Sequence, residues 1–130
     1  MLQDDLFGSP APDTIEAIQN HAGVLVGNVV AREYAGSTGY DFVTLRYAYF
    51  LNVWHYSVSV HVHDEGHGHA PSPKWKKERD TFHDAEKAAR EEALEKLGRF
   101  NTDRAQFLKD ALQANQYKEK FTAGGQGDAL

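Results

Sequence analysis

Three histidines and two serines alternate along one stretch of the chain. They are His55, Ser57, Ser59, His61 and His63, within Val53–His63, V-W-H-Y-S-V-S-V-H-V-H. His67 and His69 follow closely in D-E-G-H-G-H, beside Asp64 and Glu65. Neutral imidazoles and carboxylates ligate zinc-like ions, and an imidazole can take the proton of a serine hydroxyl. On a strand, residues two apart point the same way. His61 and His63 are therefore expected on one side, where both can reach an ion completed by a loop ligand such as His67 or His69.

The spacing does not match an enzyme. Glu65 and Gly66 stand where an H-x-H-x-D-H hydrolase has its aspartate and last histidine, and no helical H-E-x-x-H occurs. A Ser–His pair also needs an orienting acid and an oxyanion hole, and no strand–turn–helix nucleophile elbow is present. The run G-G-Q-G follows a helical segment instead of preceding one, so it is not a phosphate loop. The histidines are expected to line a polar strand face and a solvated loop. Any metal binding by His61, His63, His67 and His69 is expected to be weak, and neither a catalytic residue nor a cofactor is expected.

The second feature is at the N-terminus. Gln3-Asp4-Asp5-Leu6-Phe7 places two large apolar side chains in a segment with no core of its own. Such anchors call for a partner or for docking onto the domain. The peptide resembles the short motif by which bacterial replication and repair proteins dock on the DNA sliding clamp: glutamine, a variable residue, aspartate or serine, leucine, phenylalanine. The resemblance implies a protein partner, with Leu6 and Phe7 as anchors and Gln3 and Asp5 at the rim. Asp4 departs from the commonest form, which has leucine there, and this removes one anchor.

A third feature is aromatic and basic. Tyr40, Phe42 and Arg46 share one side of an alternating segment, and Lys74, Lys76, Lys77 and Arg79 form the only dense basic stretch. Aromatics on a sheet with nearby cations suit single-stranded nucleic acid. The expected order helix, three strands, helix, with Ala85, Lys87, Ala88, Ala89, Ala93 and Leu94, resembles double-stranded RNA-binding domains, which makes RNA a second expectation. Charge weighs against a strong phosphate binder. The net charge is −5, and residues 1–63 hold six acids against Arg32 and Arg46.

The elements that position these residues follow from periodicity. A chain of 130 residues suffices for one core. Residues 1–12, broken by Gly8, Pro10 and Pro12, read as a flexible arm. Residues 13–121 read as a single α+β domain, and 122–130 as a disordered tail. A short helix is expected over Pro12–His21, with Ile15 and Ile18 on one face and Gly23 as its stop. Strands are expected over Val24–Tyr34, with a bend at Gly27–Asn28, over Tyr40–Tyr47, and over Val53–His63. They form an antiparallel meander, with Lys74–Arg79 as a short fourth edge strand. Asp64–Pro73 reads as a loop. Thr81 to Asp84 is a capping box opening a helix Phe82–Leu97, stopped by Gly98, and a last helix is expected over Thr102–Lys120. Both C-terminal helices cover the Trp54/Tyr56/Val58 face and leave the Ser/His face wet. Cysteine is absent, no apolar run has membrane length, and the acidic start lacks a secretory pattern. A cytoplasmic, non-membrane protein is the expectation; the oligomeric state is not readable.

Overall fold

The computed structural model describes residues 10–63 and 65–123, so the Gln3–Phe7 peptide lies outside the described residues. The fold is α+β, a wholly antiparallel sheet with two helices on one face. In chain order the strands are β1 (Ile18–Gln19), β2 (Leu25–Gly27), β3 (Val29–Ala35), β4 (Phe42–Phe50), β5 (Val53–Val62), β6 (Glu65–His67) and β7 (Glu78–Arg79). Helices α1 (Phe82–Leu97) and α2 (Asp103–Ala114) follow, and β8 (Lys118–Thr122) closes the chain. The main sheet runs β6-β5-β4-β3-β8; β7 shares the outer edge of β5 with β6.

The alternation of β5 sets the layers. Trp54, Tyr56, Val58, Val60 and Val62 face the helices together with Val43, Leu45 and Tyr47 of β4. Ala85, Ala89 and Ala93 of α1 have no bulk beyond Cβ, which lets the helix lie close to these rings, while Leu97 and α2's Leu108 and Leu112 fill the remaining space. Thr81 caps α1, its hydroxyl accepting from the Asp84 amide at 3.2 Å. The two-residue turn of the β4–β5 hairpin is Leu51–Asn52, both at positive φ, the turn whose twist matches antiparallel strands.

Four expectations are corrected. No N-terminal helix forms over Pro12–His21. Within it Ala17 N–H donates to the Tyr49 carbonyl, and at its end the Asn20 side chain accepts from the amides of Ala22 and Val24 just beyond, closing a β1–β2 turn. A helix that short has little stability of its own to set against these partners. The order helix, three strands, helix therefore does not exist here. The last helix stops at Ala114, where Asn115 turns left-handed (φ 58) and its N–H bonds back to Ala111 and Leu112. Lys118–Thr122 then pairs with β3, giving the sheet a strand the sequence reading assigned to helix.

The third correction concerns Asp64–Pro73, which contains β6. Gly66 and Gly68 permit this, because a Cβ on Gly66 would stand 2.7 Å from the His61 ring and one on Gly68 would stand 2.8 Å from Ser59 Cα. The fourth concerns the Ser/His face, which is only partly open. The β1–β2 hairpin packs Ala17 and Leu25 onto Val29, Ala48 and Phe50 at one end of it. Pro71 and Ser72 lock onto that hairpin, through Leu25 N–H to the Pro71 carbonyl and the Ser72 hydroxyl to the Gly23 carbonyl. His55 and Ser57 are buried as a result. The bend at Asn28 (φ 57) and the span of α1 match the sequence reading. Of the expected edge strand Lys74–Arg79, however, only Glu78–Arg79 pairs with β5, because Pro73–Trp75 forms a 3-10 turn closed by left-handed Lys76.

Candidate functional site

The point where the N-terminal segment meets the domain is built on Arg32. Strand alternation puts Val30, Arg32 and Tyr34 of β3 on the helix side, so the guanidinium enters the core and is 1% exposed. Nη1 donates to Glu86 of α1 at 2.8 Å, Nε to Glu119 of β8 at 2.8 Å, and Nη2 to the Pro10 carbonyl at 2.7 Å. Phe82 and Tyr117 stack against it, their ring centres 4.9 and 4.6 Å away. This one cation thus ties β3 to α1, to β8 and to Pro10. Nearby, burial pushes the Tyr34 and Tyr47 hydroxyls well above the usual phenol range, leaving both neutral.

The exposed remainder of the opposite face is a second surface. Register places Ala35, Phe42, His61 and Gly66 in one row across the strands, then Glu33, Thr44 and Ser59 with Lys118, then Ala31 and Arg46 with Lys120. The Phe42 and His61 rings stack, 5.2 Å apart and 3° from parallel, and His61 Nδ1 is 2.7 Å from the Tyr40 carbonyl. Arg46 donates to the Ser59 hydroxyl at 3.1 Å. Phe42, Arg46, Ser59, His61, Gly66 and Gly68 border a shallow depression of about 290 Å³. Tyr40, 74% exposed, lies in the turn just before β4.

The histidines do not converge. His61 belongs to the open face. His63 follows the end of β5 at φ 56, which breaks the alternation, and its Nε2 is 2.7 Å from the Thr102 hydroxyl while its ring lies against Phe100. His61 and His63 thus do not share a side, contrary to the sequence reading. His69 lies against Trp75, ring centres 4.6 Å apart. Among the described residues no group of three or more histidines and carboxylates is placed to hold a metal.

The buried part of the Ser/His face holds two polar atoms with no hydrogen-bond partner, Ser57 Oγ and His55 Nδ1. Burial holds the His55 imidazole below its ordinary pKa; Glu78, 3.7 Å from Nδ1, and the Phe50 carbonyl oppose this. Sealed under the hairpin and the Pro71–Ser72 segment, neither group meets solvent. The serine–histidine adjacency along β5 is therefore part of the interior.

The nucleic-acid candidates separate in the same way. Phe42 and Arg46 belong to the open face, whereas Tyr40 lies in the turn before β4 and has no place in the strand register. The basic stretch lies across the β5 edge on the helix side: Lys77 pairs with Glu92 of α1 at 2.7 Å, and Arg79 lies over the Tyr56 ring. Lys76 ends the Pro73–Trp75 turn at φ 57, and Lys74 lies over Trp75. These cations do not join the sheet aromatics. Lys118 and Lys120 lie on the open face by register, in a segment whose sequence reads as helix. A partly buried ion pair has no signal in the sequence: Asp41, 2% exposed, takes the partly exposed Arg104 through both oxygens at 2.6 and 2.7 Å, and this cation holds its carboxyl below the usual range. Gln3, Asp5, Leu6 and Phe7 precede Pro10, outside the described residues. No helix among the described residues is long and apolar enough to cross a membrane. No protein-family model, curated protein or solved structure matches the chain.

Proposed function

We propose that this is a non-enzymatic accessory protein that docks on a protein partner through the Gln3–Phe7 peptide, with a bacterial DNA sliding clamp as the specific partner. The observation that supports this reading is the clamping of Pro10. Its carbonyl takes a hydrogen bond from Arg32, a cation fixed in turn by α1 and β8. Phe7 is three residues before Pro10, a reach of at most about 11 Å. A partner holding Leu6 and Phe7 would therefore hold the folded domain close against itself. The sealing of Ser57 and His55 favours a binding role over a hydrolytic one, since no substrate reaches them.

Calorimetric titration of the full chain into a purified bacterial clamp tests the reading. Saturable binding is expected, weakened roughly 30-fold or more by Phe7→Ala, as for a central aromatic anchor. Equal binding by wild type and Phe7→Ala, or none by wild type, would remove the proposal.

A further inference from the structure

The open sheet face carries a charge that the rest of the chain does not. The protein is acidic, at −5, yet the uncovered rows hold Arg46, Lys118 and Lys120 against one acid, Glu33. The neighbouring acids are turned to the helix layer or into ion pairs. Glu119 bonds Arg32, Asp41 bonds Arg104, and Glu65 lies 3.7 Å from Arg99. Glu33 itself is 3.9 Å from Lys120. At the far end the half-exposed Glu78 faces the buried His55, 3.7 Å from its Nδ1. The exposed face is thus locally cationic because of strand register.

The same rows carry flat rings. The parallel Phe42–His61 pair floors one end of the depression, and Gly66 and Gly68 keep the rim bare of side chains. Rings that stack bases, with cations along a line to meet phosphates, are the two components of sequence-tolerant single-strand recognition. A duplex hides its base faces and can use only the cations.

We infer that the exposed β8-β3-β4-β5 face binds single-stranded nucleic acid, with Phe42 and His61 stacking a base and Arg46, Lys118 and Lys120 meeting the backbone. The surface lies opposite α1, α2 and the Pro10 contact with Arg32.

Fluorescence anisotropy with labelled dT and rU oligomers and a matched duplex tests this at low salt. Single strands are expected to bind with a dissociation constant on the order of 10⁻⁵ M, tighter than the duplex. The DNA and RNA arms show which sugar is preferred; binding of either supports the site. Lys118→Ala/Lys120→Ala, both exposed edge positions, is expected to shallow the slope of log affinity against log salt by about 0.7 per lysine. Phe42→Leu, which keeps bulk without the aromatic plane, is expected to weaken binding roughly 5- to 100-fold, with folding checked by circular dichroism. Absence of binding by wild type at low salt would overturn the inference. So would a duplex bound as tightly as the single strand, or full binding retained in both variants.

Discussion

Replacing Glu86 with alanine should reveal how much of the domain rests on Arg32. In the native protein the guanidinium is 1% exposed and its charge is met by Glu86, itself 2% exposed, and by Glu119, which is partly open to solvent. Glu86→Ala leaves the buried cation with one solvent-screened carboxylate, the Pro10 carbonyl and the rings of Phe82 and Tyr117. Breaking one side of a buried pair costs about 3–5 kcal/mol. Against a total stability of roughly 5–15 kcal/mol for a small domain, that is a large share, and the urea midpoint should fall accordingly. Removing both partners should cost less. Arg32→Met with Glu86→Leu exchanges two desolvated charges for apolar volume, a change that is often near neutral. The double-mutant cycle in urea should therefore show coupling of at least about 1 kcal/mol. A Glu86→Ala loss below about 1 kcal/mol, or two additive single changes, would refute the view that this pair organises the core.

Four further outcomes follow from other parts of the fold. His55 has a folded-state pKa below its unfolded value, so the unfolded chain binds the extra proton; stability should decline as pH falls from about 6.5, and His55→Gln should flatten that decline in urea midpoints between pH 7.5 and 5.5. Asp41 adds a loss in the same direction only at lower pH, below the ordinary carboxylate range, because its folded pKa is depressed by Arg104. Leu51 sits at φ 51 and is 70% exposed, so Leu51→Asn should raise stability by roughly 0.5–1 kcal/mol, read as a higher thermal midpoint; a lower one would contradict the turn assignment. Gly68→Ala would drive a methyl to 2.5 Å from Ser59 Cβ and should cost roughly 1–3 kcal/mol, whereas Gly39→Ala, with open space around it, should be close to neutral in the same assay.

The parts of the fold that could be read from sequence were those whose local signals and tertiary roles agree. The strict alternation of Trp54 to Val62 gave β5 and its helix-facing side, and the Thr81–Asp84 box with the alanine stripe gave α1. Where local pattern and tertiary pairing conflict, pairing decides. Ile15 and Ile18 have helical spacing, yet both are 42% exposed, and the segment is taken up by Tyr49 and β2. Lys118–Thr122 has no apolar alternation, since an edge strand with all five residues exposed needs none. Two signals were available: Asn115 as a left-handed stop, and Tyr117, Phe121 and Thr122 beyond it, which favour strand. The covering of Ser57 and His55 had no local signal, because it depends on a hairpin and a segment distant in sequence meeting over β5. Arg32 was legible in principle, alternating between Val30 and Tyr34, but charge alone suggests a surface position.

The most direct test of the docking account is an NMR titration of the ¹⁵N-labelled full chain with a purified bacterial sliding clamp, repeated with Phe7→Ala. Docking through the peptide should give saturable shifts confined to residues 2–9 and to the Pro10–Arg32 contact, with the Phe42–His61 face unmoved and every change lost in Phe7→Ala. No shift with the wild-type chain, or shifts that persist in Phe7→Ala, would contradict it.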